Sequence, residues 1–119
     1  MFQACDQVLR ADSGAFTSPG YPGNYSNEIT CNYTIEVASN HVIQLTFGTF
    51  ILEGPRSCPY DFVQILDDTT LLGTFCGRDG PGALTSPSNR VTVVFETDLS
   101  GVYQGFSANY VAYVPFSGT

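Results

Sequence analysis

The run Phe50-Ile-Leu-Glu-Gly-Pro-Arg-Ser-Cys-Pro-Tyr-Asp61 decides how this chain is read. Gly54-Pro55 is a breaker pair and makes the run a loop. Apolar residues alternate on both sides of it, so the loop joins two strands. A carboxylate stands at each end, Glu53 and Asp61, with Cys58 between them.

Working outward, the same grammar repeats. Before the loop, His41 to Phe50 reads as a strand with Ile43, Leu45 and Phe47 on one face. Cys31 to Val37 reads as another, with Tyr33, Ile35 and Val37 on one face and Asn32, Thr34 and Glu36 on the other. Gly14 to Ser18 is a short strand, followed by a turn-rich loop through Pro19-Gly20 and Pro22-Gly23. Residues 1–13 are expected to be a lead-in tied down by Cys5. After the loop come strands at Tyr60 to Leu66, Leu71 to Cys76, Ala83 to Ser86, Arg90 to Thr97 and Gly105 to Val114. No segment holds a 3.6-residue apolar pattern. Many short strands with regularly spaced turns predict an all-β antiparallel sandwich.

Composition sets the bounds. The 119 residues fit one domain with a single core, expected over about 5–113, with 114–119 a tail or linker. Hydrophobic residues make up 43% and charged residues 13%, the balance of a chain that folds. Net charge is −7 with four Arg and no Lys. That excludes the basic face a nucleic-acid binder needs and disfavours anionic membrane surfaces, but suits cations and basic proteins. No apolar run is long enough to span a bilayer. Met1 is read as a start added to a mature fragment, so the missing leader does not argue for the cytosol.

Four cysteines, Cys5, Cys31, Cys58 and Cys76, contain no Cys-x-x-Cys pair, and the lone histidine His41 is not grouped with them. This disfavours zinc and favours two disulfides formed in an oxidising compartment. Three pairings exist; the sequential one, Cys5–Cys31 with Cys58–Cys76, closes the short local loops and is expected. Two sequons, Asn24-Tyr-Ser26 and Asn32-Tyr-Thr34, agree with secretion.

If successive strands run antiparallel, loops alternate between two ends of the sandwich. Counting from the 51–59 loop puts loops 19–30 and 98–104 at the same end. Tyr25, Glu53, Asp61 and Asp98 then share that end, and His41 falls at the other. Carboxylates gathered there raise one another's pKa, and a cation removes that cost. Ca2+ takes six to eight oxygen ligands. Glu53, Asp61 and Asp98 can supply charge, the Ser100 region a backbone carbonyl, and Tyr25 a hydroxyl that orients a carboxylate. By spacing alone the favoured alternative is three separately solvated loop acids, which are common.

From Cys5 to about Tyr113 the chain resembles a CUB domain. The resemblance rests on Gly14-Ala-Phe-Thr-Ser-Pro-Gly-Tyr-Pro-Gly-Asn-Tyr25, Cys31-Asn-Tyr-Thr-Ile-Glu36 and Leu52-Glu53. It continues through Cys58-Pro-Tyr-Asp-Phe-Val-Gln-Ile65, Phe75-Cys-Gly77, Thr97-Asp-Leu-Ser100 and Gly105-Phe106. It implies a jelly-roll-like β-sandwich with sequential disulfides. The calcium-binding subset of that family uses one Tyr, one Glu and two Asp, which fall on Tyr25, Glu53, Asp61 and Asp98. The resemblance therefore implies a Ca2+-ordered loop end that captures a basic side chain of a protein partner, with Tyr25, Glu53 and Asp98 facing that partner. One departure is the short, glycine-containing loop Asp98-Leu-Ser-Gly-Val-Tyr-Gln104.

The expected function is thus a non-catalytic binding module of a secreted or cell-surface protein of several domains. The alternative is glycan or lipid-headgroup recognition through Tyr21, Tyr25, Tyr60 and Tyr103. Catalysis is disfavoured: His41 lies at the far end from Asp98 and Ser100, and no free thiol is expected.

Overall fold

The computed structural model describes residues 5–54, 58–98 and 101–115. Nine strands form two sheets: β1 (Gln7–Leu9), β2 (Ser13–Thr17), β3 (Thr30–Glu36), β4 (Val42–Ile51), β5 (Phe62–Asp67), β6 (Thr70–Phe75), β7 (Ala83–Ser86), β8 (Arg90–Glu96) and β9 (Gly105–Tyr113). One sheet has the order β1-β3-β8-β5-β6 and the other β2-β9-β4-β7. The eight strands expected from alternation are all present, with ends shifted by a residue or two.

One expectation needs correction. Residues 1–13 are not wholly a lead-in, because β1 pairs with β3, and it does so in parallel, Gln7 opposite Tyr33. Three residues are too few for alternation to register. What holds β1 is specific: the Cys5–Cys31 disulfide, Asp6 Oδ1 accepting the Asn32 N–H at 3.0 Å, and Arg10 Nη1 donating to Glu36 Oε1 at 2.8 Å. Among the described residues every other strand pairing is antiparallel.

The period-2 pattern explains the core. Ile43, Leu45 and Phe47 of β4 are buried, as are Tyr33 and Ile35 of β3 and Val91, Val93 and Phe95 of β8. Phe16, Tyr33, Phe47, Phe95 and Phe106 interlock near the centre; Phe106 meets Phe95 edge-on with centroids 5.3 Å apart. Burying side chains of this size stabilises by about 2 kcal/mol each before entropy is counted. Between Phe47 and Phe50 the β4–β9 register shifts, a bulge that lets β4 run on to Ile51.

The pairings bear out the strand parity. Strands β2, β4, β6 and β8 run one way, and β3, β5, β7 and β9 the other. The β2–β3, β4–β5, β6–β7 and β8–β9 loops therefore crowd one end, which we call the top. Both disulfides sit there: Cys5–Cys31 (Cα–Cα 5.0 Å) and Cys58–Cys76 (Cα–Cα 5.5 Å). They close loops of 26 and 18 residues, each worth about 3 kcal/mol through the unfolded chain.

Candidate metal centre

Four loops meet at the top, and hydrogen bonds lock them together. The β2–β3 loop joins the β8–β9 loop through Tyr25 N–H to Tyr103 O at 3.0 Å and Glu28 N–H to Asp98 O at 2.8 Å. Thr97 ties the same pair again: its Oγ1 donates to Ser26 O at 3.0 Å and accepts the Ile29 N–H at 2.9 Å. The β4–β5 loop joins the β6–β7 loop through Leu52 N–H to Gly77 O and Gly77 N–H to Glu53 O. The Cys58–Cys76 bond fixes that second pair covalently.

Asp61 is the hinge of the arrangement. It is fully buried just before β5. Its Oδ2 accepts the Tyr25 hydroxyl at 2.5 Å, and its Oδ1 accepts the Asp98 N–H at 2.9 Å. One carboxylate thus holds the β2–β3 and β8–β9 loops against the start of β5. Tyr25, 2% exposed, also accepts the Glu53 N–H on its hydroxyl oxygen at 3.3 Å and packs edge-on against Phe95. Burial, then the hydrogen bond to Asp61 and its charge, pushes the Tyr25 hydroxyl well above its ordinary pKa.

Carboxylate oxygens of Glu53, Asp61 and Asp98 lie within 4.8 Å of one another. The electrostatics record that crowding. Burial, followed by the charges of Asp98 and Asp61, raises the Glu53 carboxyl above its usual pKa. Burial also raises Asp61; the donors from Tyr25 and the Asp98 main chain pull it back, while the Asp98 charge pushes it up. Glu53 Oε1 is buried and accepts no hydrogen bond among the described residues. Such an oxygen forfeits its hydration without replacement, at a cost of roughly 1–3 kcal/mol or more.

The residue set fits a hard divalent cation. All three donors are carboxylates, the ligands calcium prefers. Two oxygens around one calcium ion, each at its usual bond length, sit no more than about 5 Å apart, and these three meet that limit. The unmatched Glu53 Oε1 supplies the vacant lone pairs.

The four residues predicted to share this end, Tyr25, Glu53, Asp61 and Asp98, are all brought together. Ser100, predicted to offer its carbonyl, lies outside the described residues. Two residues escaped the sequence reading. Thr97 ends an expected strand and opens the Thr97-Asp-Leu-Ser100 stretch of the resemblance, and nothing in its spacing announces its two bonds. Gly101 has φ +87°, and a Cβ there would stand 2.3 Å from Glu53 Oε2. The Glu53 carboxylate occupies the space a side chain would take, so Gly101 is needed both for its backbone and for its absence of bulk. The signal was the glycine in the loop, whose partner across the cluster was not apparent.

His41 stands at the bottom, at the start of β4, with Nδ1 3.1 Å from Ser39 O. Ten residues of β4 separate it from the carboxylates, about 30 Å of extended chain. Of the tyrosines considered for sugar stacking, Tyr60 and Tyr103 are 46% and 41% exposed, Tyr21 is half-buried and Tyr25 is buried.

The fold is a disulfide-tied β-sandwich with three carboxylates gathered at one loop end and no helix among the described residues. The chain belongs to the CUB-domain family, whose model matches residues 5–110. The family is one of extracellular protein-interaction modules, and this chain is an extracellular domain. It is similar to human cubilin, 40% identical over 111 residues, which cover 92% of this chain and 3% of that protein. The chain thus spans a few hundredths of the length of the cubilins it matches. Among solved structures it superposes on the full extracellular region of zebrafish Gpr126/Adgrg6 with TM-score 0.88 at 35% identity, over 95% of this chain and 15% of that one. It superposes on the MASP-1 CUB2 domain bound to Ca2+ with TM-score 0.82 at 31% identity, over 87% and 96% of the two chains.

Proposed function

We propose that this domain is a non-catalytic module that holds Ca2+ between Glu53, Asp61 and Asp98 and binds a protein partner through a Lys or Arg of that partner. The observation that carries the reading is the trio of carboxylates converging within 4.8 Å, one of whose oxygens, Glu53 Oε1, is buried and unmatched. The likeness to a CUB domain bound to Ca2+ supports it. When bound, the ion supplies positive charge where the carboxylates repel one another.

The chain's own residues divide the work. Asp61 fixes the β2–β3 and β8–β9 loops through Tyr25 and the Asp98 main chain. Tyr25, too buried to meet a partner, positions Asp61 and the Glu53 backbone. Glu53 and Asp98 are half-buried; they face both the cluster and the solvent and make the partner contact. The Ser100 carbonyl completes the ligand set. The unit is a single domain over residues 1–119 with its core at about 5–113, within a protein of several domains.

Surface plasmon resonance against a panel of otherwise neutral peptides, each bearing one Lys or Arg, tests this. Binding is expected with Ca2+, weaker in salt, and absent in EDTA. Glu53→Ala or Asp98→Ala costs on the order of 2 kcal/mol in affinity while the domain stays folded. Undiminished binding in EDTA places the interface elsewhere.

A second reading, recognition of a glycan or lipid headgroup, draws on Tyr60 and Tyr103, both exposed at the same end. A glycan array that lights up independently of Glu53 and Asp98 would favour it.

A further inference from the structure

We propose that Asn24 carries an N-linked glycan on the rim of the carboxylate cluster. The inference goes beyond the calcium reading and does not depend on it. The chain holds two sequons with the same middle residue, Asn24-Tyr-Ser26 and Asn32-Tyr-Thr34, and the fold treats them differently. In both, the tyrosine is buried, Tyr25 at 2% and Tyr33 at 1%, so the flanking side chains are turned outward.

At Asn24 the outward turn leads into solvent. Asn24 and Ser26 are both exposed, and these are the two side chains the attachment chemistry uses. The main chain around them is already fixed by bonds that a sugar leaves untouched. Gly23 N–H donates to Gly20 O at 2.7 Å, Tyr25 N–H to Tyr103 O at 3.0 Å, and Thr97 Oγ1 to Ser26 O at 3.0 Å. A glycan here therefore costs the fold no hydrogen bond.

At Asn32 the outward turn leads to β1. Asn32 is half-buried, and its Nδ2 donates to Asp6 Oδ1 at 3.2 Å while its main-chain N–H donates to the same oxygen at 3.0 Å. The attachment nitrogen itself is committed to docking β1. Because transfer acts on the chain as it enters the secretory pathway, the fold does not choose which amide is reached. It decides which sugar the folded chain carries without giving up a hydrogen bond, and that is the one at Asn24.

The position matters because Asn24 immediately precedes Tyr25, whose hydroxyl holds Asp61. The glycan borders the proposed docking end. Val102 and Tyr103, 37% and 41% exposed, belong to the loop paired with it through the Tyr25 N–H to Tyr103 O bond.

The test is to secrete the wild type, Asn24→Gln and Ser26→Ala from mammalian cells. Glycans are released with an amidase in heavy-oxygen water, and the converted asparagines are mapped by mass spectrometry. The expected result is labelled conversion at Asn24 in the wild type and loss of that glycan's mass in both variants. Ser26→Ala keeps Asn24 and the Ser26 carbonyl in place, so loss there cannot be put down to misfolding. Recovery of Asn24 as unmodified asparagine from the secreted wild type overturns the proposal, whatever Asn32 carries.

Discussion

The two ends of the sandwich are built from similar loops and settle their polar groups in opposite ways. At the bottom, protein donors meet protein acceptors. Asn89 Nδ2 donates to Val37 O at 2.9 Å, Val37 N–H returns the bond to Asn89 O at 3.0 Å, and Ser88 Oγ donates to Asp67 Oδ1 at 2.6 Å. At the top, Glu53, Asp61 and Asp98 turn toward one another, and Glu53 Oε1 is buried with no donor among the described residues. At the bottom Asp67 is answered by a hydroxyl; at the top Asp61 is answered by Tyr25 and by the Asp98 N–H, and the three acids crowd one another. An end that is complete within the chain serves the fold. An end whose acids crowd together is where the proposed cation would sit.

The largest effect that separates the two ends is expected from removing one acid at each. Asp61→Ala leaves the buried Tyr25 hydroxyl and the Asp98 N–H without their acceptor, and should cost at least ~3 kcal/mol in Ca2+. Asp67→Ala removes one bond at a half-buried site and should cost ~1 kcal/mol or less. Urea unfolding at neutral pH measures both. Equal losses would erase the distinction between the ends.

A smaller effect sharpens it through pH. The carboxyls of Glu53 and Asp61 are held above their ordinary values by burial first, with the charge of Asp98 pushing both up. In the metal-free fold they bind protons more tightly than in the unfolded chain, so stability at these groups is greatest at low pH. It is lost as pH rises from about 4 through the raised folded values. In EDTA the melting temperature contributed by the top should therefore be higher near about pH 5 than near about pH 7, and Glu53→Gln should flatten that difference. With Ca2+ the order reverses, since the ligands must be ionised to bind and the added stabilisation grows with pH. A wild type that loses stability on acidification in EDTA just as Glu53→Gln does would contradict the crowding of these acids.

Much of this was legible in the sequence, for identifiable reasons. Period-2 alternation in Ile43-Leu45-Phe47 and Val91-Val93-Phe95 gave strands, and parity of the strands gave the ends. That placed Tyr25, Glu53, Asp61 and Asp98 together although Tyr25 and Asp98 are far apart in the chain. Of three possible cysteine pairings, the one that closes the short local loops, also implied by the CUB resemblance, is the one present. What was not legible depended on single contacts. Strand β1 is three residues long and exists because of Cys5, Asp6 and Arg10, none of which carries a periodic signal. Thr97 and Gly101 act across loops, one through two hydrogen bonds and the other through missing bulk. Spacing can bring loops to one end, but it cannot say which hydroxyl bridges them or which carboxylate fills the space over a glycine.

The central claim is that the top end is completed by a cation. Isothermal titration calorimetry of Ca2+ into the wild type, Asp98→Ala and Asp67→Ala tests it most directly. The account predicts one site in the wild type, the same site in Asp67→Ala, and affinity reduced more than roughly tenfold or lost in Asp98→Ala. No binding by the wild type, or equal binding by Asp98→Ala, would contradict it.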